Sequence, residues 1–230
     1  MVGACGGVGA STLAACLAAT LRGPTTLVDL APAAGGLDVT LGVETVPGAR
    51  WPDLADGLPD LAVPAAGASD PGARRPRWRE VRVLSADRAG TGPTPGTVTA
   101  VWSALRAGGG RIVVDLAPSG LAGPVAGVLD DLTARAQVVL LTSQDVRGVA
   151  GALAARDLLG GAPDHLVLRR GRRARVAPAE VEAALGCPVA ATLPTARDVA
   201  DAMDAGLGPV WRRRSRLGRA ITGLGRRLDG

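Results

Sequence analysis

The stretch Cys5-Gly6-Gly7-Val8-Gly9-Ala10-Ser11-Thr12 reads as a phosphate-binding loop without its lysine. In the pattern G-x-x-x-x-G-K-[ST], backbone N–H groups cradle phosphates, the lysine reaches the β/γ-phosphates and the hydroxyl holds Mg²⁺. Ala10 stands at the lysine position, and all 26 basic residues of the chain are arginine, so no lysine can reach in from elsewhere. What is left is a row of amides, Gly6, Gly7, Val8, Gly9, Ala10, Ser11 and Thr12, opening a helix. Helix N-termini favour anions with or without a lysine, so the chemistry on offer is phosphate binding with little catalysis. The alternative is a glycine-rich strand-to-helix turn that holds no ligand, with Asp29 and Asp115 merely solvated at strand ends.

The elements that position this loop follow from an alternating pattern. Short apolar runs at 25–30, 81–85, 111–116, 137–142, 165–168 and 188–193 predict strands, and stretches of helical spacing at 11–22, 97–107, 124–135, 146–159, 178–185 and 198–205 predict helices. Strands alternating with helices imply an α/β fold, a mostly parallel sheet with helices on both faces. Ligands in such folds sit beyond the carboxyl ends of the strands, where the loop, Asp29, Asp115 and Pro194 converge. Residues 44–79, rich in Pro, Gly, Ala and Asp, read as a long surface excursion, which leaves 1–208 as one domain and 209–230 as a tail. Only Met1 and Val2 precede Gly3, too few for the buried strand that leads into such a loop. The first strand is therefore expected to be truncated, with the natural start of the protein upstream.

Composition narrows the classes further. A chain of 230 residues can bury roughly 70% of its unfolded surface. With no Phe and no Tyr, its core rests on Leu, Val and Ala, and stacking on bases is a poor prospect. Cys5, Cys16 and Cys187 are odd in number and lack a C-x-x-C pair, as in reduced cytoplasmic proteins without a disulfide or zinc framework. His165 is the one histidine, so a Ser-His-Asp triad or a histidine metal site lacks material. Apolar runs break well before the length of a membrane span.

Gly6-Gly7-Val8-Gly9-Ala10-Ser11-Thr12, then Thr26-Leu27-Val28-Asp29-Leu30-Ala31-Pro32 with Gly35-Gly36-Leu37-Asp38, then Ile112-Val113-Val114-Asp115-Leu116-Ala117-Pro118 resemble the deviant Walker A ATPases of the MinD/ParA superfamily. Gly48-Ala49-Arg50-Trp51-Pro52-Asp53-Leu54 is similar to a phrase of the CpaE-like, septum-site-determining proteins of actinobacteria, and 188–194 with 198–205 resemble the superfamily's last strand and helix. The resemblance implies a P-loop NTPase-like three-layer fold binding ATP or ADP with Mg²⁺. It places Gly6 to Thr12 on the phosphates with Thr12 at the α-phosphate, and Pro194 in the nucleotide site. Ser11 and Asp115 would hold Mg²⁺, with Asp38 in the first switch and Asp29 as the first acid of a D-x-D. Three charged members are neutral here: Cys5 for a signature lysine, Ala10 for the Walker lysine and Ala31 for the second aspartate. Asp29 and Asp38 stay the catalytic candidates, Arg147 or Arg169 the arginines able to replace a missing charge, and hydrolysis is expected to be very slow or absent.

The tail places Val210, Leu217, Ile221, Leu224 and Leu228 on one helical stripe, with Arg212, Arg213, Arg219, Arg226 and Arg227 over the rest. Such a basic amphipathic helix suits an anionic membrane surface, as in the C-terminal helix of MinD-like proteins, or packs its stripe on the domain. Nucleic acid is a third partner for the arginine clusters, at 169–175 and 212–227. The sequence thus predicts a cytoplasmic spatial regulator, peripheral on the plasma membrane, with a homodimer and division or secretion-apparatus proteins as partners. The other readings are an active, partner-stimulated ATPase, a DNA-partition protein, and more distantly a small-molecule P-loop kinase or transferase.

Overall fold

All six residues of Thr25–Leu30 (β2) are buried, as a strand covered on both faces requires. In the computed structural model, which describes residues 1–31, 36–54, 75–87, 89–121, 125–171 and 174–229, β2 runs parallel to Arg111–Leu116 (β5). The register sets Asp29 opposite Asp115. Around this pair the chain adds Val2–Gly3 (β1), Arg77–Trp78 (β3), Val81–Leu84 (β4), Val139–Ser143 (β6), His165–Arg169 (β7) and Val189–Leu193 (β8). The eight-stranded sheet has the order β3-β4-β2-β5-β1-β6-β7-β8, and every described pairing is parallel except β3 with β4.

Helices cover both faces: Ala10–Ala18 (α1), Gly36–Leu41 (α2), Pro95–Ala107 (α3), Pro118–Leu121 (α4), Leu129–Arg135 (α5), Val146–Leu158 (α6), Pro178–Leu185 (α7), Arg197–Asp204 (α8) and Arg216–Leu228 (α9). Successive strand side chains point to opposite faces, and the core divides accordingly. Leu166 and Leu168 join the cluster that includes Val98, Val101 and Leu105 of α3 with Val181 and Leu185 of α7. Val167 between them joins Leu13 and Leu17 of α1 with Ile221 and Leu224 of α9. Local chemistry fixes the helix starts. Thr94 caps α3 by accepting from Thr97 N, Asp145 caps α6 by accepting from Gly148 N, and Ser215 caps α9 by accepting from Gly218 N.

β1 is as short as expected, and it sits in the middle of the sheet. Val2 pairs with Leu116 on one side and Leu140 on the other, and Gly3 pairs with Leu141. Below Val2 no strand lies between β5 and β6 among the described residues, and a cavity of about 410 Å³ opens there, lined among others by Ile112, Val138 and Leu228.

Three expectations need correction. The described ends of the 44–79 excursion are core, with Trp51, Leu54 and Trp78 at 2%, 3% and 6% exposure, because three large apolar side chains outweigh a loop-like composition. Its middle, 55–74, lies outside the described residues, as do Pro32 and Gly35 of the resemblance, Pro124 of a predicted helix and residues 172 and 173 of an arginine cluster. The stretch read as one helix over 124–135 is a 3-10 turn at Ala126–Val128 followed by α5. The tail turns helical only at Arg216, after the Ser215 cap, not from Val210, while its stripe takes the domain-packed placement that the sequence left open.

Two glycines of α9 sit at close approaches, one to the tail's own preceding segment and one to the domain. A Cβ on Gly218 would lie 2.2 Å from Arg212 O, and one on Gly225 would lie 3.1 Å from Thr20 Cγ2 at the end of α1. Residues that cost an isolated helix stability are here the points of close approach.

Candidate functional site

The loop after β1 turns through glycines with positive φ, Gly7 at 74° and Gly9 at 95°, and Gly9 is the residue before α1. Leu13 N donates to Gly9 O at 2.9 Å, closing the first helical turn, so the amides of Ala10, Ser11 and Thr12 precede the helix ladder. Ala4 stands where the phosphate-loop pattern opens with glycine; it is buried and its N–H donates to Leu141 O at 2.8 Å. The whole predicted set Gly6 to Thr12 lines one cavity of about 600 Å³ with Asp115 and Pro194. That volume suits a nucleotide-sized ligand.

Asp115 ends β5 at 1% exposure, and neither of its carboxylate oxygens is hydrogen-bonded. Burial pushes its pKa up, while the nearby Ser11 hydroxyl and the Met1 ammonium favour the charged form. A buried, unbonded carboxylate beside a hydroxyl and a row of free amides fits a divalent ion shared with phosphate oxygens. Among the described residues no group of three His, Cys, Asp or Glu side chains could hold a metal alone, so phosphate oxygens would complete the shell.

Asp29 and Asp38 stand elsewhere. Neither lines the cavity. Asp29 is fully buried and accepts the amides of Ala31 at 2.9 Å and Leu37 at 2.8 Å, holding the start of α2 against the sheet. Asp38, also fully buried, lies 3.5 Å from the guanidinium of Arg50, and Val39 N donates to its Oδ1. Arg50 in turn donates to the carbonyls of Gly48, Val43 and Val46. Its role as an organiser of 43–50 was invisible in the sequence, since its carbonyl partners carry no side-chain signature. The Thr12 hydroxyl contacts Met203 Sδ at 3.7 Å, which ties α1 to α8.

Asp29 offers a pH test. Burial, opposed by the Leu37 and Ala31 amides and aided by Asp115 and Asp38, raises its pKa to about 6 from 3.8. The folded state therefore holds the proton more tightly than the unfolded chain, and stability falls as pH rises from 4 to 6. Asp29→Asn removes this titration. Across that range the stability of wild type relative to Asp29→Asn is expected to drop by about 3 kcal/mol, read from urea midpoints at pH 4, 5, 6 and 7. A constant difference would refute it.

Arg169, at the end of β7, is the one of the two suggested arginines that neighbours the loop. Its Nη1 donates to Val8 O at 2.8 Å and Gly7 O at 3.1 Å, and it lines the cavity. Arg147, the other arginine suggested by the sequence, does not line it.

The solved MinC:MinD cell division complex of Aquifex aeolicus superposes with a TM-score of 0.71 at 20% identity, over 99% of this chain and 93% of that one. A ParA family ATPase from Chlorobium tepidum gives 0.70 at 18%, over 97% and 95%. The septum site-determining protein MinD of Pyrococcus horikoshii, solved with Mg-ADP, gives 0.71 at 17%, over 99% and 95%. The chain has the MinD/ParA fold. At these identities the likeness is one of architecture: a mostly parallel eight-stranded sheet with the loop at the carboxyl end of its central strand. No protein-family model matches the chain. An uncharacterized protein of Mycobacterium tuberculosis, found in strains CDC 1551 and H37Rv, is 37% identical over 222 residues, which is 96% of this chain. The chain spans 60% of the length of these curated relatives.

Proposed function

We propose that this chain is a nucleotide-binding regulator of the MinD/ParA type, binding ATP or ADP with Mg²⁺ and hydrolysing it weakly or not at all. The observation that carries the reading is the unbonded Asp115 carboxylate, buried and facing the same cavity as the amides of Gly6 to Thr12. The loop would hold the phosphates, and Ser11 with Asp115 would hold the ion. Mg²⁺, when bound, neutralises phosphate charge. Pro194, at the far wall, would border the rest of the nucleotide. The Mg-ADP in the Pyrococcus structure supports the choice of ligand.

Weak hydrolysis follows from what the site lacks. Cys5, Ala10 and Ala31 are neutral where the resembling ATPases carry charge, and each lost charge-stabilising group costs roughly 10²- to 10³-fold in rate. Of the described cavity-lining residues only Asp115 and Asp204 bear carboxylates, and Asp115 is engaged by the metal reading. A chain that binds nucleotide without turning it over acts through its surfaces. We therefore assign it to spatial regulation of the CpaE-like or septum-site kind, a cytoplasmic partner of division or secretion-apparatus proteins, acting as a homodimer where nucleotide closes one. The MinC:MinD complex supports a division partner.

Membrane attachment through 210–228 is reached differently from the sequence expectation. Ile221 and Leu224 are each 1% exposed against the domain, while Arg212, Arg213, Arg219, Arg226 and Arg227 are exposed. With the stripe so used, an anionic surface, of lipid or nucleic acid, would meet only the arginine face, a weak and salt-sensitive contact. No helix among the described residues is long and apolar enough to cross a membrane.

Titration with a fluorescent ATP analogue tests the reading. Mg²⁺-dependent micromolar binding, weakened about 10-fold or more by Asp115→Ala, is expected. No binding at millimolar nucleotide would overturn it.

A further inference from the structure

Arg169 reaches the loop from the opposite half of the sheet. It ends β7, where it pairs with Ser143 of β6 and Leu193 of β8, two strands away from β1. Its Nη1 nevertheless sits on the carbonyls of Gly7 and Val8, and a Cβ on Gly9 would lie 3.0 Å from that nitrogen. Gly9 thus serves two ends: its φ of 95° turns the chain into α1, and its missing side chain makes room for the guanidinium.

No carboxylate among the described residues pairs with Arg169, although the ion pairs found elsewhere include Arg50, Arg106, Arg111, Arg135 and Arg156. The side chain is half-buried, so its charge is neither fully hydrated nor neutralised. Nη1 is spent on the two carbonyls, while Nε–H and the Nη2 donors have no protein partner among the described residues. A guanidinium held this way, beside the positive end of α1, is built to meet phosphate oxygens.

We propose that Arg169 is the phosphate-binding cation of this site, supplied from β7 in place of the lysine absent at position 10. The assignment rests on the nucleotide reading above and names the group that gives the loop its charge. The ligand class is a nucleoside di- or triphosphate or another oligophosphate, since the contact needs only phosphate oxygens.

Binding of ATP with Mg²⁺ and of inorganic tripolyphosphate to the full chain, measured by calorimetry, tests it with four variants. Arg169→Gln is expected to weaken both ligands about 10- to 100-fold. Ala10→Lys placed in that background restores most of the loss, because the charge returns from the other side of the loop. Arg169→Lys, which keeps the charge, loses less than Arg169→Gln and retains the salt dependence of binding. Ala10→Lys alone gains less than it does alongside Arg169→Gln.

The outcomes separate the two claims. Wild type that binds neither ligand at millimolar concentration overturns the nucleotide reading, and the role of Arg169 with it. Wild type that binds while Arg169→Gln binds equally well overturns this proposal alone. A loss that neither Ala10→Lys nor Arg169→Lys restores, in variants with native circular dichroism, shows that Arg169 only holds the loop in shape and also overturns it. Should Arg169→Gln not fold, Arg169→Lys decides: binding with an unchanged salt slope supports the cation, and abolished binding in a folded protein overturns it.

Discussion

Replacing Ile221 by Asp is expected to lower stability by about 4 kcal/mol or more. Ile221 is 1% exposed in the cluster shared by α1, α9 and strands β6, β7 and β8. Loss of a buried isoleucine costs about 2 to 5 kcal/mol by itself, and an unpaired carboxylate in its place adds the cost of a buried charge. Total stability of a domain is only about 5 to 15 kcal/mol, so a large unfolded fraction at 37 °C is expected. Arg226→Glu, on the exposed face of the same helix, is expected to stay within about 0.5 kcal/mol of wild type. Urea midpoints for the two variants make the comparison. Equal midpoints would mean that α9 is not docked in solution, and the apolar stripe would again be free for a membrane.

Trp51→Ala is expected to cost about 3 to 5 kcal/mol, although it lies in a segment that reads as loop. The indole is 2% exposed among Val28, Leu30, Leu84 and Val98, and its Nε1 donates to Asp29 O at 2.7 Å. The backbone of Trp51 also donates to Ser85 O at 3.0 Å, so the residue fastens the segment to β2 and β4 together. Trp51→Phe keeps most of the bulk and loses the indole bond, which should cost about 1 to 2 kcal/mol. Thermal and urea unfolding of the pair would separate packing from hydrogen bonding. A Trp51→Ala variant as stable as wild type would place the 48–54 phrase outside the core.

The central strands were legible because burial on both faces leaves an unbroken apolar run. Thr25–Leu30 and Arg111–Leu116 fall where those runs predicted them, and helical spacing located α7 at Pro178–Leu185. What was not legible depended on partners distant in sequence. α2 at Gly36–Leu41 has one turn of helix pattern and is held by Asp29 accepting the Leu37 amide. β3 at Arg77–Trp78 is two residues long and exists by pairing with β4. α1 ends at Ala18, four residues before the predicted end at Arg22, as Thr20 and Leu21 both turn back on Leu17 O and Gly23 follows with positive φ.

The site shows the same division. The loop and Asp115 could be named from residue types and spacing, since phosphate binding constrains both. Asp29 and Asp38 could not be told from cavity residues, because a carboxylate that bonds to amides or to Arg50 looks in sequence like one that faces a ligand. Arg169 was one of several candidates until the fold brought it 162 residues back to Gly7.

The placement of the site across the sheet has a mechanical meaning. β3, β4, β2 and β5 form one slab of the sheet and β6, β7 and β8 another, with the seam between them at β1. The phosphate loop rises from the top of that seam, with Asp115 belonging to one slab and Arg169 and Pro194 to the other. A ligand gripped by both acts as a cross-tie, and slower exchange of the seam amides would report its arrival without any label on the ligand.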